Sequence, residues 1–268
     1  MFLSIFTDEL DGDFKESLPV LHAWGFKYCD LRGRILGKKV HDLTQTDLAE
    51  VSALLKKYDM KIGALQTKLA KVHLPDEEIQ KSEMDKLEGI IRVADALNCR
   101  LIRVFHFWKP NPSEKGTLHQ KPEELQRVID MFAPYAERAQ SENLVFAFEN
   151  CGETPEEVFA VLNKLNNAEW GLAWDVFNTW DCDERNKDED AYIARHAQRS
   201  IMIHVKAASI IPALTDKPLP WKRILSACEK SGLKGPVSIE THNTMESGLS
   251  NTEASRQTTE LIRDAWPL

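Results

Sequence analysis

Residues 144–150 read LVFAFEN, 171–175 read GLAWD, 201–206 read IMIHVK and 236–242 read PVSIETH. Each is a short apolar run closed by a side chain able to bind a metal: Glu149, Asp175, His204 and Glu240. By subtraction of residue numbers, the gaps between these four are 26, 29 and 36 positions. Each gap is long enough for a loop, a covering helix and the next strand, which is what a parallel crossover requires. Near-continuous apolar strands are those buried on both faces. Polar residues gathered at the ends of such strands are how a (β/α)8 barrel builds an active site.

Working outward, the same alternation runs through the chain. Strands are expected at 2–6, 26–31, 61–65, 101–105, 144–148, 171–175, 201–205 and 237–240. Between them lie helical stretches at 13–23, 46–58, 75–97, 122–140, 154–165, 192–196 and 221–230, and a last helix opens at Asn251 or Thr252. Leu48, Val51, Leu54 and Leu55 recur at helical spacing, with Thr46 as the expected N-cap. Pro134 is expected to kink its helix. Eight strands alternating with eight helices predict an α/β fold, a single (β/α)8 TIM barrel. No Gly/Ser-rich or Pro-rich linker divides the chain, so residues 1–268 are expected to form one domain.

The composition narrows function. The chain is 43% hydrophobic and 28% charged, ordinary for a globular domain, with net charge −8. That balance argues against a nucleic-acid partner, which needs a basic surface. No run approaches the length of a membrane span. Five scattered cysteines without a CxxC pair predict a reduced, cytoplasmic protein. The N-terminus has too short an apolar run for a signal peptide.

Alternation across a strand sorts the side chains. Ala147 and Glu149 share one face of their strand, and Phe146 and Phe148 the other. His204 and Lys206 share a face, as do Ser238 and Glu240. Each candidate ligand thus falls opposite bulky apolar neighbours. Any one of them alone reads equally well as a polar strand cap or helix N-cap. The four together point to a site for a divalent ion, since three carboxylates and an imidazole form an oxygen-rich donor set.

The segments FAFEN, GLAWDVFN, IHVK and VSIET resemble the xylose-isomerase-like superfamily of (β/α)8 barrels, in its sugar isomerase and epimerase branch. The resemblance spans essentially the whole chain. It implies that Glu149, Asp175, His204 and Glu240 bind one divalent metal ion, Mn2+ first, with Mg2+, Co2+ or Zn2+ as alternatives. It also implies that Glu149 and Glu240 are catalytic, exchanging a proton at a carbon beside a carbonyl through an enediolate. The implied substrate is a small polyhydroxylated carbonyl compound. A homo-oligomer is common in the group and is left open here.

The chain departs from the family pattern in three places. Asn178 stands where many members have a His, Ala207 where many have an Asp, and the Arg that follows in ketose epimerases is absent. These departures keep a metal-dependent lyase of the inosose-dehydratase kind as the alternative. An endonuclease IV-like repair enzyme is disfavoured by the acidic charge and by the missing histidines. A non-catalytic barrel is disfavoured by the presence of all four ligands.

His106, Lys206, Asn178, Gln66 and Trp108 are the candidate substrate-binding residues. All follow or end a strand, or lie in the loop just beyond it. Lys206 reads equally as a barrel-wall lysine paired with an acid, and Arg32 as a partner of Asp8 or Glu9. His242 and Trp180 read as pocket lining or loop packing, and Cys151 as packing.

Overall fold

The computed structural model describes residues 1–244 and 247–266. The strands are β1 (Phe2–Ile5), β2 (Tyr28–Leu31), β3 (Lys61–Leu69), β4 (Leu101–Val104), β5 (Val145–Glu149), β6 (Gly171–Asp175), β7 (Ser200–Val205) and β8 (Pro236–Ile239). All their ladders are parallel, in the order β1-β8-β7-β6-β5-β4-β3-β2. A parallel bridge between Phe6 and Asp30 brings β1 back to β2 and nearly closes the cylinder. The expected TIM barrel is therefore the observed fold.

The helices are α1 (Phe14–Ala23), α2 (Gln45–Lys57), α3 (Glu77–Leu97), α4 (Pro122–Ser141), α5 (Pro155–Leu165), α6 (Asp183–Lys187), α7 (Glu189–Arg199), α8 (Trp221–Lys230) and α9 (Asn251–Ala265). Several boundaries differ from the sequence reading. Helix α2 is capped by Thr44, not Thr46: Thr44 and Asp47 form a reciprocal capping box, which satisfies two otherwise unpaired backbone donors. Helix α9 starts at Asn251, as expected, with Ser250 as its cap. Helix α4 continues through Pro134. The connection from β6 to β7 holds two helices, α6 and α7, rather than one short helix.

The two faces of the strands separate as alternation requires. Ala64, Ala147, Ala173 and Met202 form a small buried cluster inside the barrel. Phe146 and Phe148 pack outward with Phe132 and Trp170. A polar layer crosses the interior: Ser4 donates to Asp30 at 2.6 Å, and Gln66 donates to the other Asp30 oxygen at 2.9 Å. Gly63 makes room for this layer, because a Cβ there would lie 2.6 Å from both Asp30 Oδ1 and Ser4 Oγ.

Candidate metal centre and active site

The barrel geometry carries Glu149, Asp175, His204 and Glu240 to the C-terminal ends of β5, β6, β7 and β8. One ligand atom from each lies within 4.8 Å of the others, and all four side chains are buried. They converge because parallel strands in register place their last residues at one level, with Asp175 paired directly to His204. Asn150, next to Glu149, locks the neighbouring strand. Its amide donates to Asp175 O and accepts from Asp175 N, both at 2.9 Å. The Asn178 backbone N–H donates to Asp175 Oδ1 at 3.2 Å.

Three cations surround the carboxylates. Lys206 Nζ lies 2.9 Å from Glu240 and 3.1 Å from Asp175. Arg103 Nη1 lies 2.8 Å from Glu149 and 3.7 Å from Glu240. Arg32 pairs with Glu240 at 2.8 Å, Asp8 at 2.9 Å and Glu9 at 2.5 Å. The Phe6 ring packs between them, 4.9 Å from the Arg32 guanidinium, 5.5 Å from that of Arg103 and 5.3 Å from the His204 ring.

Burial and charge compete at each group. Burial alone would raise the Glu240 carboxyl, but Lys206, His204, Arg103 and Arg32 outweigh it and hold the pKa well below the ordinary range. Glu149 is lowered in the same way, against burial, chiefly by Arg103. Asp175 goes the other way. Burial, with Glu240 and Glu149 close by, outweighs Lys206 and raises it to about 7. Burial lowers His204 to about 4, so its imidazole is neutral and can offer a lone pair.

These residues fit a divalent cation. Asp175 Oδ2 and His204 Nδ1 are buried with no well-formed hydrogen bond among the described residues, although Lys206 Nζ lies 3.1 Å from the first and Glu240 Oε2 3.4 Å from the second. Counting the linked groups, five carboxylates (Asp8, Glu9, Glu149, Asp175, Glu240) face three cations (Arg32, Arg103, Lys206). With Asp175 ionised the excess is two negative charges, which a divalent ion neutralises, and buried charge left uncompensated is costly. Three carboxylates and one neutral imidazole suit hard-to-borderline divalent metals.

The other candidates fall in different surroundings. His106 is fully buried just beyond β4, with neither ring nitrogen hydrogen-bonded among the described residues, and burial lowers it to about 3. Gln66 sits inside the barrel on Asp30, its Oε1 without a hydrogen-bond partner among the described residues. Asn178 is half-buried and its side chain donates to Asn150 O at 3.2 Å. Trp108 is buried in the packing of its loop: its Nε1 donates to Glu157 at 3.0 Å and its ring faces His73 at 4.8 Å. His242 donates its backbone N–H to Glu9 at 2.7 Å and lies 3.2 Å from Lys206 Nζ through Nδ1. Trp180 packs on Tyr192 and beneath Arg185. Cys151 has a partner that spacing did not suggest, Lys71 Nζ at 3.0 Å.

Sequence reasoning missed Arg103 and Asn150. Arg103 is 2% exposed in the middle of β4, inside a barrel wall where a guanidinium needs acids to face. Its Nε and Nη2 donate to Thr67 O and Gln66 O, both at 3.1 Å, so its fork is aimed from β3 at Glu149. A charged residue in the apolar run LIRVF was the available signal.

The xylose isomerase-like TIM barrel family model matches residues 18–265. No curated protein is similar to the chain by sequence. Among solved structures, a D-psicose 3-epimerase from Clostridium cellulolyticum with D-tagatose superposes with TM-score 0.74 at 14% identity, covering 99% of each chain. The IOLI protein with a bound zinc atom gives TM-score 0.72 at 18% identity, covering 100% of each. A xylose isomerase-like TIM barrel protein from Mycobacterium smegmatis, in complex with magnesium, gives 0.71 at 13%, covering 98% of this chain and 96% of that one. At such identities the structural likeness speaks for the fold, while the family model spans nearly the whole sequence. The chain belongs to the xylose isomerase-like TIM barrel family.

Proposed function

We propose that this protein is a divalent-metal-dependent sugar or polyol isomerase or epimerase. The observation that carries the reading is the buried cluster of Glu149, Asp175, His204 and Glu240, with their ligand atoms within 4.8 Å. These four would hold the ion, with Mn2+ the first candidate and Mg2+, Co2+ and Zn2+ the alternatives. A bound ion would supply Lewis-acid stabilisation of negative charge on substrate oxygens.

The chain's own residues do the rest. Glu149 and Glu240 come from β5 and the end of β8, non-adjacent strands, and we place the sugar between them. Both carboxyls are held low and are therefore ionised near neutrality, ready to accept a proton from the carbon beside a carbonyl. The carboxylate that takes the proton returns it, or the opposite carboxylate, once it has taken a proton from solvent, delivers that proton to the other face. His106, neutral and unpartnered, offers a hydrogen bond to a substrate hydroxyl. Asn178, Gln66 and Lys206 are assigned to the substrate as well. Arg103 acts as a positioning residue for Glu149. Trp108 contributes through the loop it anchors.

A second reading, a dehydratase on the same residues, is favoured by one feature. The Lys206 ammonium, between Asp175 and Glu240, would steady negative charge developing on a substrate oxygen. Incubation of a ketose and inosose panel in D2O with added manganese separates the two. Deuterium beside the carbonyl with unchanged carbon and oxygen content supports the isomerase or epimerase. Loss of the mass of water supports the dehydratase, and no exchange with any panel member removes both.

The relatives crystallised with magnesium or zinc and with a ketose support a metal and a sugar. Among the described residues, no helix is long and apolar enough to cross a membrane. Five free cysteines fit a reducing compartment, and we assign the protein to the cytoplasm. A nucleic-acid partner is not part of the proposal, and a homo-oligomer of this single domain is compatible with it.

A further inference from the structure

A cavity of about 250 Å³ opens at the C-terminal ends of β2 and β3, beside the metal centre. Arg32, Lys39, Lys68, Lys86 and His41 line it, with Asp8 as the one acid. In a chain with 42 acidic and 34 basic residues, this concentration of positive charge runs against the composition. The local acids are already engaged. Asp8 is taken by Arg32 at 2.9 Å, and Lys86 pairs with the buried Glu83. Lys39 and Lys68 make no ion pair among the described residues, and both are exposed toward the opening. Partial burial, and then the charges of Lys71, Arg32, Arg103 and Lys39, lower the Lys68 pKa, so positive charge crowds here without an answering anion.

The cavity is joined to the reaction centre through single side chains. Arg32 lines it and reaches Glu240 at 2.8 Å. Gln66 lines it too, and its carbonyl accepts from Arg103, which reaches Glu149 at 2.8 Å. A molecule with its carbonyl between Glu149 and Glu240 would have to extend past Arg32 to bring its far end to these lysines. We infer that this β2–β3 cavity holds a terminal anionic group, carboxylate or phosphate, of the substrate, making that substrate a sugar acid or sugar phosphate rather than a neutral sugar. Lys68 and Lys39 supply charge-assisted contacts to the anion. Arg32, fixed on Asp8 and Glu9, separates the anion from Glu240.

This inference rests on the proposed sugar chemistry for the placement of the carbonyl end, but its test is binding and needs no turnover. Calorimetric titration of the full manganese-loaded protein would compare D-xylulose 5-phosphate, D-fructuronate and D-fructose. At least one charged ketose is expected to bind at least about tenfold more tightly than D-fructose. In the double variant Lys39→Gln/Lys68→Gln, whose exposed positions tolerate the change, that ratio is expected to fall to about threefold or less. Lys61→Gln, at the opposite end of β3, should keep the wild-type ratio. Selectivity for the phosphate ester alone assigns a sugar phosphate, and for fructuronate alone a sugar acid. Equal affinities, no binding of either charged ketose, or an undiminished ratio in the double variant would overturn the inference. Selective binding without deuterium exchange would instead count against the isomerase reading and leave the anion subsite standing.

Discussion

Glu149 and Glu240 carry the heaviest demands of any residues in the chain. Each is assigned both to the metal and to the proton. Glu149→Gln and Glu240→Gln are isosteric, so steady-state kinetics should show at least about a hundredfold loss, the lower end of what general acid–base catalysis contributes. Near-normal activity in either variant would sink the two-carboxylate mechanism. Asn178→Ala should raise KM more than it lowers metal content, and loss of metal instead would show that its backbone contact to Asp175 depends on the side chain. Asp175 gives a pH prediction. Its folded pKa of about 7, raised from 3.8, means the metal-free protein holds a proton there that the unfolded chain has lost. That proton must leave when a cation binds, so metal affinity should rise with pH up to about 8 and level off above it. Calorimetric titrations at several pH values check this, and an affinity that is flat from pH 6 to 8 would contradict it. The four clustered residues were legible in sequence because each ends an apolar strand. Arg103 was not, because its partners Glu149 and Glu240 are distant in sequence and meet it only in the closed barrel.

Loops and caps decide how the elements hold the site. The segment from His106 to Lys121 is drawn together by one buried carboxylate. Glu157, at the start of α5, accepts from Trp108 Nε1 and from the backbone N–H groups of Gly116, Thr117, Leu118 and Thr154. Hydrogen bonds to a charged group contribute about 1.5–3 kcal/mol each, so Glu157→Ala should lower stability by about 3 kcal/mol or more in urea unfolding. A change below about 1 kcal/mol would show that the loop is held by its apolar contacts instead. The sequence displayed a long loop after strand four and a Thr154 cap, and it identified Trp108 and His106 as features of that loop. The link from Trp108 to Glu157 was hidden, since Glu157 reads as an ordinary acid in a first helical turn. The start of α2 was misplaced for a similar reason. Thr44 and Thr46 are both cap residues, and only the contact from Asp47 back to Thr44 selects between them.

At the scale of the whole molecule, the barrel is a device for bringing polar residues from four strands to one end while burying the strands on both faces. Alternation of apolar runs and amphipathic stretches made that architecture readable, because crossover length and strand burial are both written locally. The pairing that joins the two ends of the chain was not, since β1 meets β8 through residues as distant as Phe2 and Pro236. A cluster of buried like charges at the barrel mouth should make metal binding stabilising for the fold as a whole. A ligand present at about 100 times its Kd adds about 2.7 kcal/mol, so chelation should lower Tm and added Mn2+ should restore it. The most direct test of the account is metal content of the purified protein alongside calorimetric titration of the metal-free form with Mn2+. The account predicts one divalent ion per chain, with binding severely weakened in Glu240→Gln. A folded protein that takes up no divalent ion under any loading condition would contradict it.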